Sequence, residues 1–140
     1  MKNFSFLIIS FFLIQIVSAQ EQSSKALDKI YQLEEVDIKP EYPGGIMAFY
    51  NFIAKNYKTP EEEGLNGKII TTFVIETDGS ISDIKVLQDI GYGSGAEVLK
   101  VLAMSKKWIP AKLNDVPVRV LYQFPITIQT AEKYSRKSKQ

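Results

Sequence analysis

Val116-Pro117-Val118-Arg119-Val120-Leu121-Tyr122-Gln123-Phe124-Pro125-Ile126-Thr127-Ile128 is the most regularly patterned stretch of this sequence. Every even position is aliphatic or aromatic, and the odd positions hold both prolines, Arg119, Gln123 and Thr127, with Leu121 as the aliphatic exception. Alternation with a period of two predicts a β-strand with one face in a core. The prolines add a direction. Proline has no N–H to give to a sheet ladder, so it is confined to edges, strand starts and bulges. Both are odd-numbered, and in a regular strand N–H groups two residues apart point the same way. The side carrying the N–H groups of Arg119, Leu121 and Gln123 therefore reads as a free sheet edge, with a window for pairing from about Val118 to Phe124. A free edge accepts an extended peptide as an added strand, the backbone giving affinity and the side chains selectivity. Prolines also serve simply to guard an edge against aggregation, so the edge alone does not decide a function.

The pattern upstream supplies the rest of the sheet and its helices. Leu99, Leu102 and Ala103 predict a helix over about Ala96 to Lys106, closed by Trp108 and Pro110. Gly91 to Gly95 is a flexible connection before it, with Ser94 as a candidate cap. Ile69, Thr71, Phe73 and Ile75 lie on one face of a predicted strand, and Ile84 and Val86 mark a second. The Asp78-Gly79 pair between them predicts a hairpin with a type I′ turn, which needs positive φ at both central residues. Pro60 opens a predicted short helical turn through Glu61, Glu62 and Glu63, ended by Gly64 and Gly67. Pro43-Gly44-Gly45 is a chain breaker, and behind it Ile46, Phe49, Tyr50, Ile53 and Tyr57 predict a helix over 46–56. The order is helix, strand, strand, helix, strand. It implies an α+β fold with two helices packed on a three-stranded antiparallel sheet.

The chain has 140 residues, the length of one domain. Its start, Met1-Lys2-Asn3, is followed by a mostly apolar run from Phe4 to Val17 and by Ser18-Ala19-Gln20. A basic start, a short apolar core and a small residue before the cut form a secretory signal. Residues 1–19 are thus expected to be a signal peptide cleaved after Ala19, or else a weak N-terminal anchor. A polar linker over 20–39 comes next, in which Ala26, Leu27, Ile30 and Leu33 suit one short amphipathic helix. The domain is expected over 40–130, and a basic flexible tail over 131–140. Loss of residues 1–19 removes only Lys2 among the charges, and the formal net charge falls from +1 to zero. No basic face asks for nucleic acid.

The chain has neither cysteine nor histidine. That removes disulfide staples, Ser-His-Asp and Cys-His machinery and the usual zinc sites. Gly91-Tyr92-Gly93-Ser94-Gly95-Ala96 fits a dinucleotide fingerprint in letters only, because the strand before it is a hairpin arm rather than part of a βαβ unit. Glu61, Glu62 and Glu63 are neighbours on a helical turn and diverge, so they do not converge on a reaction. Trp108 reads as core, and nothing singles out Tyr42, Tyr92 or Tyr122 as ligand-facing. No catalytic residue, cofactor or metal is expected.

Five stretches carry a resemblance in their order and spacing: Glu41-Tyr42-Pro43-Gly44-Gly45, Gly67-Lys68-Ile69 leading to Phe73-Val74-Ile75, Asp78-Gly79-Ser80-Ile81, Lys107-Trp108-Ile109-Pro110, and Val118-Arg119-Val120. Over about residues 36–129 the sequence resembles the C-terminal domain of TonB, with the aromatic-Pro-Gly-Gly opening common in Bacteroidetes. The resemblance implies a periplasmic domain that binds the plug and N-terminal box segment of outer-membrane TonB-dependent receptors in energy-coupled transport. The box would pair with the last strand, which makes Val118, Arg119, Val120, Leu121, Tyr122, Gln123 and Phe124 the implied partner-binding residues. An uncleaved N-terminus would imply an inner-membrane anchor facing the periplasm and contact with a proton-motor complex. The sequence departs from the family pattern at Thr59-Pro60, where Tyr-Pro is usual, in the short stretch Pro60 to Gly67, at Ala111, where glycine often stands, and in having no long proline-rich spacer. A second reading therefore stands beside the first: a soluble periplasmic adaptor that uses the same fold on another envelope protein or on peptidoglycan, without energy transduction.

Overall fold

A computed structural model describes residues 28–132. The signal segment, linker residues 20–27 and tail residues 133–140 lie outside the described residues. The elements run β1 (Ile30–Tyr31), α1 (Ile46–Asn56), β2 (Asn66–Ile75), β3 (Ile81–Gln88), α2 (Ser94–Ala103), β4 (Ala111–Leu113) and β5 (Val116–Gln129). The class is α+β with two helices, as the sequence implies. The sheet has five strands rather than three and is mixed, because β1 runs parallel to β5. The two additional strands are two and three residues long, too short for any periodicity to announce them.

β2 and β5 form the spine. They pair antiparallel without a break from Asn66–Gln129 to Ile75–Val120. Ile69, Thr71, Phe73 and Ile75 are fully buried on one face of β2, and Val74 is buried on the other. α1 sets Phe49 and Ile53 on this face, where Phe49 meets Trp108 at 4.9 Å and Phe124 at 4.8 Å between ring centroids. Tyr42 closes the cluster edge-on to Trp108 at 5.4 Å. Trp108 and Tyr42 are thus core residues, Tyr122 is half-buried and Tyr92 is exposed.

Four local expectations are corrected. The β2–β3 connection is not a type I′ turn: positive φ occurs at Gly79 (83°) but not at Asp78. The Gly79 N–H donates to the Glu76 carbonyl at 2.9 Å and the Glu76 N–H to that of Ser80 at 2.8 Å. This is a three-residue loop, a type I turn closed by a left-handed glycine. Asp78 stays in an ordinary conformation because its carboxylate accepts the Ser80 N–H. The two-residue turn with both φ values positive lies between β4 and β5 instead, at Asn114 (49°) and Asp115 (64°). α2 begins at Ser94 and ends at Ala103, and it buries Val98, Val101 and Leu102, while Leu99 and Ala103 are exposed. The earlier start is explained by its cap. Asp89 Oδ1 accepts the Ser94 hydroxyl at 2.6 Å and the Gly95 N–H at 3.1 Å, so Ser94 is the first helical residue and Asp89 does the capping. Finally, Glu61, Glu62 and Glu63 lie in an irregular segment with a turn at 63–64 and no helix, since three residues cannot nucleate one.

The segment read as linker also joins the domain. The Asp37 and Ile38 N–H groups both donate to the Lys112 carbonyl, and the Lys112 N–H returns to that of Ile38 at 2.9 Å. Leu33 and Val36 pack on Ala111, Val118 and Val120 in a second small core. The packed unit therefore reaches back at least to β1 rather than starting at Pro40.

Candidate functional site: the outer edge of the last strand

The side on which each β5 residue bonds can be read from its end. The Thr130 N–H donates to the Leu65 carbonyl at 2.9 Å. With unbroken register, the even-numbered N–H groups of β5 face β2 and the odd-numbered ones face away. Pro117 and Pro125 thus withhold donors on the outer side, as their parity requires. β4 lies on the inner side, continuing the lane of β2, because a two-residue turn makes Leu113–Val116 a hydrogen-bonded pair and Val116 is even.

Among the described residues, one strand pairs on the outer side. β1 sets Ile30 beside Arg119 and Tyr31 beside Val120. The Leu121 N–H ends this ladder on the Tyr31 carbonyl, and beyond it no described strand pairs with the outer side from Tyr122 to Gln129. The structure thus distributes the seven candidate residues. Val118 is buried and paired with Ala111 of β4, and Arg119 and Val120 are covered outside by β1. Leu121, Tyr122, Gln123 and Phe124 lie where the outer edge opens. Gln123 is exposed and Phe124 is a core residue.

An apolar groove of about 430 Å³ runs beside this open edge. Its floor is Phe124 to Ile128, and its far wall is the α1 face of Tyr50, Ile53, Ala54 and Tyr57, continued by Thr59. Tyr50 leans on Phe124 at 5.6 Å between centroids yet remains 45% exposed. Burial, then the nearby Tyr50, pushes the Tyr122 hydroxyl pKa up. A strand laid along the outer edge of β5 would turn every second side chain into this groove. The sequence pattern gives Tyr50 and Tyr57 a helical phase but no sign that they wall a lane. That arises from how α1 crosses the sheet.

The sheet's opposite edge is protected. β3 carries two irregularities against β2, between Ile70 and Thr71 and between Thr72 and Val74. Asp83, at φ 46°, sits at the second, and Lys85 and Asp83 pair at 2.8 Å. Bulges and charges of this kind keep an edge from accepting another strand. From Leu121 onward the outer edge of β5 has only Pro125 as such a device.

Arg119 ties the elements together where β1 meets the edge. Its Nε and Nη2 donate to the two Glu76 oxygens at 2.7 and 3.0 Å, and its Nη1 donates to the Asp28 carbonyl at 3.1 Å. The guanidinium first, and the Ser82 hydroxyl after it, hold the Glu76 carboxyl below its ordinary value against the opposing effect of burial. A two-residue ladder offers only a few bonds of about 0.5–1.5 kcal/mol net each. Ordering each residue's backbone costs about 1–2 kcal/mol. Residues 28–30 are therefore held near break-even, Tyr31 adds half-buried packing against the second core, and residues 33–38 are anchored by burial and by the bonds to Lys112.

Among the described residues, no group of three or more acidic ligands is placed to hold a metal ion. The glycine-rich stretch is occupied by a carboxylate of the chain itself. Asp89 takes the N–H groups of Ile90, Gly91 and Gly95 at the start of α2, where a phosphate would have to sit.

The profile of the family described as Gram-negative bacterial TonB protein C-terminal matches residues 59–128, which include the open edge, the floor of the groove and Tyr122. The chain belongs to this family. The match spans half of the chain. TonB C-terminal domains are non-enzymatic, transport-associated modules of the cell envelope and generally interact with outer-membrane receptors. No curated protein and no solved structure matches this chain.

Proposed function

We propose that this TonB C-terminal domain works in the periplasm, exported by its N-terminal segment, and binds an outer-membrane receptor by adding the receptor's box segment as a strand to β5. The observation that carries the reading is the outer edge from Tyr122 to Gln129. Its N–H groups point away from β2, no described strand pairs with it, and an apolar groove lies alongside. Main-chain bonds to the odd residues would set register, and alternate side chains would enter the lane between Phe124, Ile126 and the α1 face. Leu121, Tyr122, Gln123 and Phe124 are the contact residues at the open end. Val118, Arg119 and Val120 contribute once β1 yields its place. The receptor plug would meet the surface around this edge, and transport would gain its energy coupling through the domain's hold on the receptor.

Leu121→Pro tests the reading. The substitution removes one outer-side donor, which in the free protein bonds the Tyr31 carbonyl of β1, and leaves every bond to β2, as Pro125 does in the native strand. The variant is expected to fold with an unchanged circular dichroism spectrum and to lose binding of a box peptide in calorimetry. A folded Leu121→Pro protein that binds like the parent would refute strand addition at this edge.

A further inference from the structure

The outer edge of β5 already carries a strand of this chain, and the segment after β1 stands in the way of any longer addition. Beyond Tyr31 the chain leaves the edge through a turn in which the Glu35 N–H donates to the Gln32 carbonyl at 3.1 Å. The Glu35 carboxylate closes the turn by accepting the Gln32 N–H at 2.7 Å. Gln32, Leu33 and Glu34 then face Leu121 and Gln123 across a notch of about 180 Å³. Leu121 gives its outward N–H to the Tyr31 carbonyl at the end of the β1 ladder, and Gln123 carries the first outward N–H beyond it. A strand added along β5 toward its N-terminal end must therefore meet residues 32–34 and then β1.

We propose that residues 28–32 are a displaceable strap over the receptor edge, so that full engagement of a receptor strand lifts β1 off Arg119 and Val120. This inference rests on the function proposed above and adds a regulator to the same site. The strap is built to release at one end only. Toward the N-terminus it is held by one short ladder, by the half-buried Tyr31 ring against the second core, by the Arg119–Asp28 bond and by an exposed Lys29–Glu35 pair. Toward the C-terminus it is fixed by Leu33 and Val36 in the second core and by the bonds from Asp37 and Ile38 to Lys112. A strand that competes for the same backbone groups can peel residues 28–32 without unfolding the domain. The apparent affinity for the partner is then reduced by the fraction of molecules in which the edge is covered.

The test uses the full chain and a synthetic peptide carrying the N-terminal box segment of an outer-membrane receptor from the same bacterium. The double substitution Ile30→Pro with Tyr31→Pro weakens β1 and leaves β5 intact. It should tighten peptide binding roughly fivefold. In a second protein, Ile30→Cys with Arg119→Cys, the two thiols sit on adjacent strands about 4.8 Å apart, within disulfide range. The native chain contributes no competing cysteine. Its oxidised form should bind at least about fivefold more weakly than its own reduced form, a comparison that cancels the loss of Arg119. Equal affinities in the parent, the proline variant and both redox forms, with Leu121→Pro still abolishing binding, would overturn the strap while leaving strand addition standing. Absence of peptide binding to the parent and to the proline variant alike would overturn the proposed function and the strap with it.

Discussion

Single residues fix the geometry at two places. Gly79 is in the left-handed region, and its carbonyl accepts the Trp108 N–H at 2.7 Å. A Cβ there would lie 1.9 Å from the Trp108 carbonyl oxygen. The left-handed penalty alone is about 1–2 kcal/mol for a residue with a side chain, and the clash adds to it. Gly79→Val should therefore lower the unfolding free energy by more than about 2 kcal/mol in urea titration, and a loss below about 0.5 kcal/mol would mean that the hairpin and Trp108 are not in contact. Asp89 is the second place. The Ser94 hydroxyl, then the N–H groups of Gly91, Ile90 and Gly95, hold its carboxyl below the ordinary range while burial opposes them. Asp89→Ala should cost about 1–2 kcal/mol, the worth of a helix cap, measured by the same titration. Asp89→Asn, which keeps one acceptor oxygen, should cost less.

At the scale of elements, the β4–β5 turn makes a prediction of the opposite sign. Asp115 occupies the second central position of a type I′ turn with φ 64°, where glycine is preferred. Asp115→Gly should be neutral or stabilising by up to about 1 kcal/mol, read as a rise in melting temperature. A clear loss of stability would mean that this turn is not of that type. This turn also shows where the sequence stops being legible. β5, β2 and α1 stand out because each repeats its period several times, and the α1 bounds are recovered in full. Asp78-Gly79 has the letters of a two-residue turn, yet an Asp78 side-chain bond to Ser80 favours the longer loop. Asn114-Asp115 has weaker letters and forms the tighter turn, because β4 and β5 hold both ends. In α2 the apolar residues are dense enough to allow two phases, and only the Asp89 cap selects the one that buries Val98 and Val101. The candidate site divides in the same way. The proline parity of Pro117 and Pro125 gives the side of β5 that faces outward. The groove wall at Tyr50, Ala54 and Tyr57 and the strap at 28–32 arise from how separate segments cross β5, which no local pattern encodes.

For the whole molecule, acid stability tests whether Arg119 joins the spine to the strap. The Glu76 carboxyl is held below its ordinary value of 4.5 in the folded state. A carboxyl with a depressed folded pKa adds stability above its unfolded value and loses it as pH falls through the folded value. Unfolding free energy should thus decline from about pH 4.5 downward, and Glu76→Gln should flatten part of that decline. Asp78 and Asp89, also depressed, will keep some of it. A Glu76→Gln profile that parallels the parent at every pH would show that the pair with Arg119 adds nothing. The pair is only half-buried, so solvent screening limits its worth to about 1 kcal/mol or less.

The molecule as a whole has two unequal edges, one bulged and charged at β3 and one open along β5, and the second is the one proposed to receive a receptor strand. Amide hydrogen exchange resolved by residue, with and without the box peptide, measures this directly. Strand addition predicts that the Gln123 and Thr127 amides, which point outward beyond β1, gain strong protection on binding. Tyr122 and Phe124, already bonded to β2, should change little, and Tyr31, whose N–H bonds the Arg119 carbonyl, should lose protection as the strap lifts. A peptide that binds while the Gln123 and Thr127 amides exchange as before would contradict it.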